Sequence, residues 1–155
     1  MNVGTNSVTL DSWAVLAWLQ GEPAGALVRD LLRWAGGVDD AAARVSPLIA
    51  LGPDQPTILL NVLNLGEVFY ILGRRFGIGT ARDTIRDLRT MPIRIVPADD
   101  TTVMEAASIK VCHRVSFADA VAAATARLND SMLITGDPEL KALPDVVVHW
   151  IGPQS

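Results

Sequence analysis

Residues 7–20 read Ser-Val-Thr-Leu-Asp-Ser-Trp-Ala-Val-Leu-Ala-Trp-Leu-Gln, and the change of pattern inside this stretch decides the fold. Ser7 to Leu10 is a short β-leaning run that stops at an acid, Asp11. From Ser12 to Gln20 the spacing turns helical, with Trp13, Leu16, Ala17 and Gln20 along one side. A strand that passes through one acidic residue into a helix is the opening of a βα unit. The order then returns. Thr57 to Leu60 (Thr-Ile-Leu-Leu) is a continuous apolar run of the kind buried on both faces of a sheet. A helix from about Asn64 to Phe76 follows, with Arg74 and Arg75 in its last turn and Gly77 as its stop.

The remaining segments fit the same alternation. Pro23 suits the first turn of a helix running to about Trp34, which Gly36-Gly37 ends. Thr80 to Arg89 predicts a helix that forms a hairpin with the one before it. Ile93 to Val96 is a strand, Asp99 to Val111 a helix and Phe117 to Leu128 an alanine-rich helix. Met132 to Ile134 is a strand, Pro138 to Ala142 a short helix and Val146 to His149 a last strand. Strands alternating with helices predict an α/β fold, a three-layer α/β/α sandwich around a central parallel sheet, whose ligands bind beyond the carboxyl ends of the strands. One domain over residues 1–155 is expected. Residues 36–56 resist assignment: Ala41 to Arg44 reads as helical, but Pro47, Pro53 and Pro56 interrupt the rest, so an inserted, flexible segment is expected there.

Composition agrees with a compact domain. Of the 155 residues, 50% are hydrophobic and 19% charged, enough for a real core. Cys112 is the only cysteine and cannot pair within the chain, which fits a reducing compartment. The first apolar run, Trp13 to Leu19, is too short to span a bilayer and has no basic start, so a cytoplasmic protein with no membrane association is expected. The net charge of −4 argues against a module that grips nucleic acid through its overall field. It leaves open an enzyme whose bound cations supply the local positive charge.

Four acids fall at strand-to-helix junctions or in first helical turns: Asp11, Glu67, Asp119 and Asp137. Each alone reads as a cap. Pro138 makes Asp137 a natural N-cap, and Ser116-Phe117-Ala118-Asp119 resembles a capping box. Together they mean more, because parallel strands deliver them to one sheet edge. Two carboxylates about 5 Å apart repel by roughly 3 kcal/mol at an effective dielectric near 20. No Lys or Arg stands within three residues of Asp11, Glu67 or Asp119, and Lys141 comes four after Asp137. A hard divalent cation relieves such a cluster, and all-oxygen donors favour Mg²⁺ or Mn²⁺ over zinc. Asp11 and Asp119 are expected as direct ligands of such an ion, with Glu67 and Asp137 binding directly or through water.

The pieces Val8-Thr9-Leu10-Asp11-Ser12, Asn64-Leu65-Gly66-Glu67-Val68-Phe69-Tyr70, Phe117-Ala118-Asp119-Ala120 and Leu133-Ile134-Thr135-Gly136-Asp137 resemble, in order, the PIN domain, and within it the VapC-type toxins of bacterial toxin–antitoxin pairs. The resemblance covers nearly the whole chain. It implies a central parallel sheet, an acidic metal site, Mg²⁺- or Mn²⁺-dependent endoribonuclease activity leaving a 5′-phosphate and a 3′-hydroxyl, a homodimer and an antitoxin partner. It places Asp11, Glu67, Asp119 and Asp137 at the acidic positions, with Ser12 and Thr135 as hydroxyls that orient a carboxylate or water. The chain departs from compact members in the length of Gly36 to Pro56.

Other readings stay in play. A non-catalytic PIN-fold module binding RNA or protein would have no need of complete carboxylates. A phosphatase of haloacid-dehalogenase type would want an acid at position 13, where Trp stands, and a receiver domain would want a Lys after a late strand. For RNA contact the candidates are Arg74, Arg75, Arg82, Arg86 and Arg89, though Asp83 and Asp87 interleave with the last three as on an ordinary solvated face. Trp13, Trp18, Trp34 and Trp150 read as core or dimer contacts. An antitoxin would lay a helix or strand near Ile71, Leu72 and Phe76.

Overall fold

The computed structural model describes residues 5–154; residues 1–4 and 155, the ends of the expected domain, lie outside the described residues. Ser7–Leu10 forms strand β1, and Ser12–Leu19 forms helix α1 directly after it. A 3-10 turn at Pro23–Gly25 leads into α2, Ala26–Ala35, so the expected single helix begins as a separate turn. Gly25 makes this possible, because a Cβ there would lie 2.4 Å from the Trp18 Cα, inside the backbone of α1. The expected insertion contains helix α3, Asp39–Val45, and Ala41, Val45 and Ile49 from this segment are buried in the core.

Strand β2 (Thr57–Asn61) passes without a break into α4 (Val62–Phe76), and Gly77 at φ +96° turns the chain into α5 (Ile78–Leu88). Asn61 is the pivot of the first of these junctions. Its Oδ1 accepts from the Leu63 amide at 2.9 Å, while its Nδ2 donates to Thr125 Oγ1 at 3.1 Å and to the Pro97 carbonyl at 3.3 Å. Then come β3 (Arg94–Val96), α6 (Asp100–Cys112), α7 (Phe117–Leu128), β4 (Met132–Thr135), a 3-10 turn at Pro138–Leu140 and β5 (Val148–Trp150). The turn replaces the short helix expected to reach Ala142.

All five strands are parallel, in the order β3-β2-β1-β4-β5. Pleating sorts the side chains into two layers. Val8, Leu10, Ile58, Leu60, Met132 and Ile134 face the core shared with α1 to α5, whereas Leu133 faces α6 and α7. The result is the expected α/β/α sandwich. The chain builds outward from β1 through β2 to β3, then crosses back to place β4 on β1's other side. That reversal opens a crevice beyond the carboxyl ends of β1 and β4, the place where open parallel sheets bind ligands. No helix among the described residues is long and apolar enough to cross a membrane.

Candidate metal centre

Register brings the first acid into the crevice. Leu10 is level with Leu60 on one side and Ile134 on the other, so Asp11 follows next to Asn61 and Thr135. Asp11 caps α1: its Oδ1 accepts from the Ala14 amide at 2.8 Å, and its Oδ2 accepts from the Thr135 hydroxyl. The same hydroxyl accepts from the Asp137 amide at 3.0 Å, so Thr135 ties the first acid to the loop carrying the last. Asp137 in turn caps the 3-10 turn, accepting from the Glu139 amide at 3.0 Å. Capping and clustering therefore coexist, and the capped acids are the clustered ones.

The other two acids arrive on helices. Glu67 sits one turn into α4 and accepts from the Ser12 hydroxyl. Asp119 lies in the first turn of α7, and its amide donates to the N-cap Ser116 Oγ at 3.1 Å. Asn64 joins the two helices by donating from Nδ2 to the Ala118 carbonyl at 3.0 Å; its own Oδ1 is buried without a partner among the described residues.

These residues surround an open cleft of about 550 Å³ whose lining includes Ser12, Trp13, Glu67, Asp119, Asp137 and Glu139. Asp11, the neighbour of Ser12 in the chain, has no exposed surface and is not among the lining residues, and Asp119 is 7% exposed. Burial pushes the Asp11 carboxyl from 3.8 up to about 7, helped by the charges of Asp137 and Glu67 and opposed by the bonds from Thr135 and Ala14. Burial also carries Asp119 to about 7, with Asp137, Asp11 and Glu67 pushing the same way and Ser116 opposing. Asp137 and Glu67 thus act on both buried acids, and Asp11 acts on Asp119 as well.

Among the described residues no cationic group pairs with them. The ion pairs among the described residues are Arg29–Asp30, Arg44–Asp30, Arg44–Asp40, Arg86–Asp83, Arg86–Asp87 and Arg127–Glu105, and none touches the cleft. One acid was missed in the sequence: carboxylate oxygens of Asp119, Asp137 and Glu139 lie within 4.8 Å of one another. Glu139 is placed by the Ser116 amide, which donates to its Oε2 at 3.3 Å. The only available signal was its position two residues after Asp137 on a turn started by Pro138. The donors are all oxygen, with no His or Cys in the lining, and this set fits a hard divalent cation.

The other singled-out residues divide. Arg86 pairs with Asp83 and Asp87 at 3.3 Å, as on a solvated face. Arg74 lies over the Tyr70 ring at 5.3 Å and Arg75 over Phe76 at 5.6 Å. Trp34 is buried in the core and Trp18 packs against it, whereas Trp13 lines the acidic cleft and belongs to neither core cluster. Ile71 lines that cleft too, whereas Leu72, Arg75 and Phe76 line a second one of about 600 Å³ with Leu19 and Thr80.

The family model of the PIN domain matches residues 8–146, which takes in β2 to β4, all but the first residue of β1 and all four acids, and stops just short of β5. The chain belongs to the PIN domain family. Its likeness to solved PIN proteins lies in the fold. VapBC-1 from nontypeable Haemophilus influenzae is 14% identical with a TM-score of 0.64, covering 94% of this chain and 98% of that one. DNA-bound VapBC from Salmonella typhimurium is 10% identical with a TM-score of 0.63 over 94% and 98%. VapC20 from Mycobacterium tuberculosis, described as a toxin cleaving the sarcin-ricin loop, is 20% identical with a TM-score of 0.57 over 88% and 95%. No curated protein matches the chain in sequence.

Proposed function

We propose that this PIN protein is a Mg²⁺- or Mn²⁺-dependent endoribonuclease of the VapC type, the toxin of a toxin–antitoxin pair. The observation that carries the reading is the burial of Asp11 and Asp119 beside Asp137 and Glu67 with no Lys or Arg paired to any of them. A divalent ion held there supplies Lewis-acid activation of water and of the scissile phosphodiester. Asp11 and Asp119 would bind it directly, with Glu67 and Asp137 binding directly or through water and Glu139 at the rim. The Thr135 hydroxyl holds the Asp11 carboxylate in place, and the Ser12 hydroxyl does the same for Glu67. Glu67, less buried than Asp11, is set to receive a proton from the attacking water.

The partner proposals follow the same resemblance. Similar structures are described as toxin–antitoxin complexes, among them one from Klebsiella pneumoniae. An antitoxin segment that reaches the acidic cleft from the second cleft, past Phe76, and offers a basic side chain to the carboxylates would block the site. A homodimer and a cytoplasmic location belong to the same reading. The test is cleavage of single-stranded and structured RNA against Mn²⁺ concentration, by the wild type and by Asp11→Asn. The reading expects cleavage that needs the metal and is lost in the variant. Cutting that survives chelation, or an undiminished variant, refutes it.

A further inference from the structure

Trp13 and Ile71 are half-buried, yet neither belongs to or packs against either hydrophobic core, while Trp34 and Trp18 do. Both line the cleft that holds the carboxylates. Trp13 leaves the chain two residues after Asp11, and its six-membered ring bears on Gly136, the residue before Asp137. A Cβ at Gly136 would lie 2.4, 2.4 and 2.6 Å from ring atoms Cη2, Cζ3 and Cζ2. The indole therefore rests on the backbone that carries Asp137. The lining of this cleft contains neither Lys nor Arg, so a polynucleotide entering it meets no side chain that neutralises phosphate. It must be held by the cation at the carboxylates and by contacts that are not ionic. A nucleotide is the ligand that carries both matching parts in one unit, an anionic phosphate and, one sugar away, a flat apolar plane.

We propose that Trp13 is the stacking platform for an unpaired nucleobase next to the phosphodiester held at the carboxylates, making it a determinant of substrate choice. This rests on the nuclease reading and adds to it. A base already stacked within a duplex is not free to use the ring, so the preferred substrate is single-stranded or looped.

The test measures binding apart from cutting. A short fluorescein-labelled single-stranded RNA and an abasic RNA of equal length are titrated with the full chain in Ca²⁺. The wild type, Trp13→Ala and Trp13→Phe are compared, and the Mn²⁺ affinity of each is measured in parallel. Trp13→Ala should bind base-bearing RNA about tenfold more weakly. It should bind abasic RNA as the wild type does and hold Mn²⁺ unchanged, and Trp13→Phe should retain most of the affinity. Equal binding of base-bearing RNA by wild type and Trp13→Ala overturns the proposal; that is the result if the ring instead receives an apolar side chain of a protein partner. An equal loss on abasic RNA also overturns it, marking the ring as a prop for the cleft. RNA that binds as described but is not cut in Mn²⁺ removes the nuclease reading and leaves the stacking intact.

Discussion

Asp11 has no exposed surface, and its carboxyl accepts two hydrogen bonds while facing the charges of Asp137 and Glu67. Burial dominates and lifts it from 3.8 to about 7, and Asp119 moves with it. Because the folded chain holds these protons more tightly than the unfolded chain does, it binds more of them between pH 3.8 and about 7. The stability they contribute is full below the unfolded value and is lost as pH rises through the folded one. The melting temperature of the metal-free protein, followed by circular dichroism, should therefore fall as pH rises toward neutrality. Asp11→Asn, which can still accept from Ala14, should flatten that slope and melt higher than the wild type at neutral pH, by roughly 2–4 °C for each kcal/mol recovered. A slope of opposite sign would mean that cations already neutralise the acids.

Asp11 and Asp137 were legible because each stands where the apolar run of a strand ends, and that break survives in a single sequence; Glu67 and Asp119 lie inside helices and were legible only with the motifs around them. Glu139 was not: beside Pro138 it looks like an ordinary first-turn charge. The place of Trp13 in the cleft was hidden for a related reason. Helical spacing groups it with Leu16 and Ala17, but only the register of β1 against β4 brings Gly136 under the ring.

Among the elements, the β2–α4 junction depends on Asn61, which caps α4 and bonds across to Thr125 and Pro97. Asn61→Ala removes a cap and leaves the buried Thr125 hydroxyl one partner short. It should cost about 2–3 kcal/mol in urea denaturation. At the β4 exit, Gly136→Ala forces a methyl into the Trp13 ring and should cost about 1–3 kcal/mol while altering the cleft. The stretch from 36 to 56 was the least readable: Ala41 to Arg44 read as helical, where α3 stands, but Pro47, Pro53 and Pro56 obscured how the rest is held. What holds it is tertiary: Ala41, Val45 and Ile49 complete the core beneath α2. Ile49→Ala, at a position 4% exposed, should lower stability by about 2–5 kcal/mol with the unfolding transition still single. A change below 0.5 kcal/mol would mean that the segment is detached from the folding unit.

At the scale of the molecule, the fold and the charge serve one arrangement. The sheet reverses its order at β1, which sets the ends of β1 and β4 side by side, and the helices bring in Glu67 and Asp119. A chain of net charge −4 then concentrates its acids where no arginine or lysine reaches them. A site of this kind carries protons at neutral pH without metal and gives them up to bind it. Calorimetric titration of Mn²⁺ into the metal-free protein near neutral pH, repeated in buffers of different ionisation enthalpy, reads binding and proton release together. The account predicts saturable binding that releases protons, weakens as pH falls below about 7, and is severely reduced in both Asp11→Asn and Asp119→Asn. Binding without proton release, or binding untouched by either substitution, contradicts it.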